Sequence, residues 1–206
     1  MSCTNKSASM PTSSYQATLN PQDLQNIYNL VPSAQSGQLY VFLGPPQLIG
    51  SIALELVHRF GALGELRLLL GGNRFSLETL PLILGDQVHG IYDVLKRMWV
   101  SRGETCYQLL DALQRTPNQP EPFILTDMLR TFYEDGLSDI EVQRVFNDCI
   151  KELQRLCQTA PVVVSAAFGE ERPQLLSQLR EQASQLVEVQ PLLKLNQPIQ
   201  PELLND

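Results

Sequence analysis

The sequence predicts an α/β protein with a mostly parallel sheet and helices on both faces, and three observations carry that expectation. Short apolar runs recur along the chain at 38–43, 65–70, 123–127 and 161–165. Between them lie segments whose apolar residues fall at helical spacing, such as Ile52, Leu56 and Phe60, or Val142, Val145, Phe146, Cys149, Ile150, Leu153 and Leu156. The run at 65–70 is apolar on both faces near its end, as a strand buried beneath two helical layers should be. Strands alternating with helices at this spacing define a parallel sheet.

The bulk numbers agree with one such domain. A chain of 206 residues is long enough to bury a proper core, and its 43% hydrophobic and 18% charged content is ordinary for a globular protein. We expect a disordered tail at 1–20, a single domain at 21–190 and an extended tail at 191–206. The net charge of -7 provides no global field for nucleic acid, so any such contact needs a local basic patch. Cys3, Cys106, Cys149 and Cys157 form no C-x-x-C pair, and His58 and His89 are too isolated to complete a zinc site or a histidine-based triad. Reduced core thiols in a cytoplasmic protein are the expectation. No apolar run approaches the ~20 residues of a membrane-spanning helix.

The elements follow in order. Leu24, Ile27, Tyr28 and Val31 predict a short helix at 21–30 behind Pro21, a proline suited to a first helical position. The first strand, 38–43, leads to a helix at about 50–60 that Gly61 and Gly64 terminate. The second strand, 65–70, ends at Gly71-Gly72-Asn73, and a helix is expected at about 77–84. A strand at 94–101 alternates more and is flanked by charge, which suggests an edge. A helix at 106–113, a loop at 116–122 and a fourth strand at 123–127 come next. A polar crossing at 133–139 precedes the longest helix, 140–157, where Ser138 and Glu141 form a capping box. The fifth strand is 161–165, followed by a helix at about 172–186 and an edge strand at 186–190.

The stretch that bears on chemistry joins the first strand to its helix: Gly44-Pro45-Pro46-Gln47-Leu48-Ile49-Gly50-Ser51. The phosphate-binding pattern G-x-x-x-x-G-K-[ST] cradles phosphates with backbone amides, and its Lys and Ser/Thr hold the terminal phosphates and magnesium. Counted from Gly44, Ile49 and Gly50 stand at the second Gly and the Lys, and Ser51 stands at the Ser/Thr. Asp127 ends an apolar strand, where a magnesium-side acid belongs. Many strands also end in Asp simply to form a turn.

The order of these segments resembles the recombinase core of the RecA superfamily, most closely the archaeal and eukaryotic RadA branch and its paralogues. Three further stretches carry the resemblance. Gly72-Asn73-Arg74-Phe75-Ser76-Leu77-Glu78-Thr79-Leu80 is similar to the family's E-G-T-F-R-P-E-R-L segment. The stretch 94–110 is similar to its next strand and helix, and 123–165 to its Walker B strand, long helix and following strand. The resemblance covers about 35–190 and implies a three-layer RecA-like core of the P-loop NTPase fold. It places the phosphate-binding Lys on Gly50, the catalytic Glu on Gly72 and the polar sensor on Ala166 or Ala167, while Ser51 and Asp127 keep their family identities. The family's DNA-binding loops correspond to 128–138 and 166–171, which carry little positive charge.

Three catalytic requirements are therefore missing together, and losing one transition-state charge stabiliser costs about 3–4 kcal/mol. The resemblance implies a non-catalytic pseudo-ATPase that assists DNA recombination or repair through protein contacts, with a RecA-like subunit or a second copy of itself. No cofactor is expected beyond weak ATP with magnesium. Two other readings stay open: an atypical ATP-binding switch using Ser51, Asp127 and magnesium, and a scaffold unrelated to DNA. Arg67, Lys96, Arg97 and Arg102 around Trp99 are candidate contacts for single-stranded nucleic acid, or alternatively a solvated strand face. Leu192-Leu193-Lys194-Leu195, with Pro198 and Ile199, either docks on a neighbour or closes the sheet edge.

Overall fold

A computed structural model describes residues 19–72, 91–133, 136–169 and 171–190. Over these residues the protein is a three-layer α/β domain around a six-stranded sheet, with every strand pairing parallel. Helix α1 (Pro21–Ser33) opens it, with Asn20 as its cap and Pro21 in its first turn. Strand β1 (Leu39–Gly44), helix α2 (Pro46–Leu63), strand β2 (Leu66–Gly71), helix α3 (Ile91–Lys96) and strand β3 (Met98–Gly103) follow. Helix α4 (Cys106–Arg115), strand β4 (Phe123–Thr126), a 3-10 turn (Met128–Phe132) and helix α5 (Asp139–Cys157) come next. Strand β5 (Val162–Ala167), helix α6 (Pro173–Gln182) and strand β6 (Gln185–Glu188) complete it.

The strand order is β3-β2-β4-β5-β1-β6. All six residues of β1 are buried, because alternate side chains enter two separate cores. Tyr40 and Phe42 pack with Ile27 of α1 and with Leu56 and Phe60 of α2. Leu39, Val41 and Leu43 pack with Leu109 of α4, Phe146 and Leu153 of α5, and Leu179 of α6. The chain thus runs from β1 to β3 beneath one helical layer and returns from β3 to β6 beneath the other. The next described helix after β2, α3, packs on one face and the helix after β4, α5, on the other, so the carboxyl ends of these neighbours flank a topological switch point, the usual ligand crevice of such sheets.

Several boundaries differ from the sequence expectation. The helix expected at 50–60 begins at Pro46 and runs to Leu63. The strand expected at 94–101 divides: α3 occupies Ile91–Lys96 and β3 starts at Met98. Tertiary packing explains the change, since Val94 is buried and its Cγ1 fills the space that a Cβ on Gly61 would need. That glycine lets α3 dock against α2. Strand β5 extends through Ala167, which places Ala166 and Ala167 inside the sheet rather than after it. The last helix stops at Gln182, and the edge strand follows at Gln185–Glu188, parallel to β1. The helix expected at 77–84, residues 73–80 of the resemblance, the tail at 1–18 and the segment 192–199 lie outside the described residues.

Candidate functional site

The connection from β1 to α2 is one residue long. Gly44 ends the strand, Pro45 caps the helix, and Pro46 through Ser51 are helical. The expected turn at Gly44-Pro45-Pro46-Gln47 is therefore not an open loop, and four residues that would arch over a phosphate instead form the first turn of α2. A helix start normally offers four unsatisfied amides to an anion. Here Pro45 and Pro46 have no N–H, and the Leu48 amide donates to the Pro45 carbonyl at 2.9 Å. That leaves the amide of Gln47.

The neighbouring backbone is also committed. The Phe168 amide donates to the Gly44 carbonyl at 2.8 Å, and the Val189 amide to the Leu43 carbonyl at 2.7 Å. Val189 is fully buried against Gly44 and Ile52. Leu48 and Ile49 point into the core, whereas Gly50 and Ser51 are half-buried. At Gly50 a Cβ would meet nothing within 4 Å, so the absence of a lysine is not forced by packing.

Asp127 lies beyond the end of β4 in a left-handed conformation, at φ 46 and ψ 45, and is 2% exposed. It belongs to a buried polar group with Thr126 and Ser165, and its amide donates to the Ser165 hydroxyl at 3.2 Å. No local pattern marks Ser165 for this role, because only the ladder between β4 and β5 brings the two strand ends together. Strand β5 also separates β1 from β4, so the turn and the acid arise from strands that are not neighbours.

The switch-point crevice is closely packed. A Cβ at Gly71 would stand 2.5 Å from the Thr126 carbonyl oxygen and 2.9 Å from that of Asp127. Gly72, where the resemblance places the catalytic Glu, has φ +66, and a Cβ there would lie 2.8 Å from Arg130 Cγ. Met128, Leu129 and Phe132 sink the 3-10 turn into the core. Arg172 holds that turn by donating to the Phe132 and Leu137 carbonyls and pairing with Asp139. Tyr133 lies against Gly169, and burial raises its pKa, helped by the negative charges of Glu171 and Asp127 and opposed by Arg172. Among the described residues, no group of three or more His, Cys, Asp or Glu could hold a metal ion.

The basic residues around Trp99 are not one patch. Arg67 and Trp99 are register partners on β2 and β3, and the guanidinium carbon lies 5.6 Å from the indole centroid. Arg67 is also paired with Glu121 at 3.6 Å, both side chains being largely covered. Lys96 ends α3 and pairs with Asp93 at 3.3 Å, while Arg97 donates to the carbonyls of Asp93 and Gly61. Arg102 is exposed, but strand alternation sets it on the opposite face from Trp99. Trp99, 62% exposed, borders a groove of about 370 Å³ between the β3 edge and the end of α4.

Compared with known proteins, the sequence matches no family model and no curated protein. Its fold defines the class: a three-layer α/β domain on an all-parallel sheet, with glycines and one buried acid at the switch point. No helix among the described residues is long and apolar enough to cross a membrane.

Proposed function

We propose that this chain is a RecA-like protein that has given up ATP hydrolysis and assists DNA recombination or repair through protein contacts. The observation that carries the non-catalytic part is the closed start of α2, where two prolines and an internal hydrogen bond leave one amide where a nucleotide site needs several. Gly50 and Gly72 stand where charge for binding and hydrolysis would be required, and Gly72 is held in a conformation that a glutamate adopts only with strain. The order of segments and the parallel sheet support the RecA-like reading, and Trp99 beside Arg67 gives it a candidate nucleic-acid contact.

Titration with ATP and magnesium, followed by calorimetry, tests the reading directly. No binding is expected at micromolar protein, and micromolar affinity that disappears in Asp127→Ala would overturn it in favour of a nucleotide switch. Gel shifts with single-stranded and duplex DNA over a salt series test the repair role. Salt-sensitive binding reduced by Trp99→Ala supports it, and no binding at low salt, alone or with a co-purified partner, favours a scaffold unrelated to DNA.

A further inference from the structure

Strand β3 is the conspicuous anomaly of the surface. Parallel sheets are normally covered on both faces, yet four consecutive residues of β3, Trp99, Val100, Ser101 and Arg102, are exposed. Trp99 is 62% and Val100 42% exposed, on opposite faces of the same edge. Natural edge strands are usually blunted by lysine, proline, bulges or a covering element. Met98–Gly103 contains no proline or lysine, pairs with β2 without a bulge, and carries one charge, Arg102.

We infer that the β3 edge pairs antiparallel with the β3 edge of a second copy, so that a two-fold axis at Val100 joins two six-stranded sheets into one. The strand is self-complementary about that point. Val100 faces the partner's Val100, Trp99 faces the partner's Ser101, and Met98 faces the partner's Arg102. Residues opposite one another then share a face, as antiparallel pairing requires. The two indoles become diagonal neighbours, a separation that aromatic side chains span. Each enters the region of the groove bounded by Ser101, Asp111 and Arg115. Charge completes the match. Exposed Lys96 precedes β3 and exposed Glu104 follows it, so antiparallel pairing about Val100 brings Lys96 of each copy, held by Asp93 within its own chain, toward Glu104 of the other, with Arg102 opposite Met98. A parallel neighbour would set like charges side by side. The inference rests on this edge alone; it engages the same Trp99 as the nucleic-acid contact proposed above and competes with that contact, and it leaves the loss of ATP hydrolysis untouched.

Trp99 is the only tryptophan in the chain, so its fluorescence reports on this surface without labelling. Sedimentation velocity and emission spectra over a dilution series should show a dimer at high concentration and a red shift as it dissociates. Val100→Glu, an exposed change that leaves the circular dichroism spectrum native, sets two carboxylates at the axis and should raise the dimer Kd by about tenfold or more. Lys96→Glu and Glu104→Lys should each weaken the dimer, and combining them should restore it. A protein that stays monomeric with unchanging emission would overturn the inference. So would a dimer indifferent to Val100→Glu, or charge reversals whose combination is no better than either alone.

Discussion

Gly72 and Gly50 show how far a single position can be interpreted. Both stand where the resemblance calls for a charged catalytic side chain, and they differ physically. Gly72 has a positive φ and faces Arg130 Cγ at 2.8 Å from the site of a Cβ, whereas Gly50 lies inside α2 with open space around it. Gly72→Glu should therefore destabilise the fold by about 1–3 kcal/mol, the usual cost of a non-glycine residue in such a conformation. Gly50→Ala should stabilise it by about 0.5–1 kcal/mol, because alanine has less chain entropy to lose in a helix. Urea denaturation of the two variants checks the opposite signs, and equal effects would mean that the backbone at Gly72 relaxes easily. The sequence shows that both charges are missing. It does not show that one could be restored sterically and the other could not.

At the level of elements, the helices with complete local signals were the most legible. Ser138 accepts from the Glu141 amide at 3.3 Å while Glu141 accepts from the Ser138 amide and hydroxyl, so the capping box inferred from spacing is formed at the start of α5. The apolar face behind it buries Val142, Val145, Phe146 and Leu153, each contributing about 1.5–3 kcal/mol relative to exposure, together with Cys149. Ser138→Ala should cost about 1 kcal/mol at neutral pH, measurable as a lowered Tm. The hydrogen bonds from Ser138 hold the Glu141 carboxyl below its ordinary value of 4.5. Its contribution is therefore present above that value and fades as the pH falls, so the gap between variant and wild type should narrow in acid without closing, because the bond from the Glu141 amide to Ser138 does not titrate. Where no local signal existed, the sequence misled. The run at 94–101 is apolar enough for a strand, but Val94 is taken by Gly61 on α2 and the first half becomes helix.

For the molecule as a whole, the core sets the response to pH. Cys106, Cys149 and Cys157 are buried in the core beneath α4, α5 and α6. Burial pushes the Cys157 thiol from 9.0 up to about 11, and pushes Cys149 higher still. The folded state thus retains protons that the unfolded chain releases above the ordinary thiol value. The thiol contribution to stability should be constant below about pH 9, fall as the pH climbs from there through about 11, and fall less steeply in Cys157→Ala. Denaturant midpoints across that range test the sign. A midpoint that does not move would show that these thiols ionise as readily in the folded protein as in the unfolded one.

The sequence alone determined the class of this protein, because buried parallel strands need continuous apolar runs and amphipathic helices need apolar residues every three or four positions. Both patterns are written locally. It also determined which charges are missing from the turn and from the end of β2. Only the tertiary structure decided that the turn is closed, since a helix that starts at Pro46 rather than Gly50 is fixed by core packing of Leu48 and Ile49. Only the sheet, in turn, separated Arg102 from Trp99 and paired Arg67 with Glu121. Charges close in sequence become a patch only when strand alternation and register place them on one face, and those are properties of the assembled sheet.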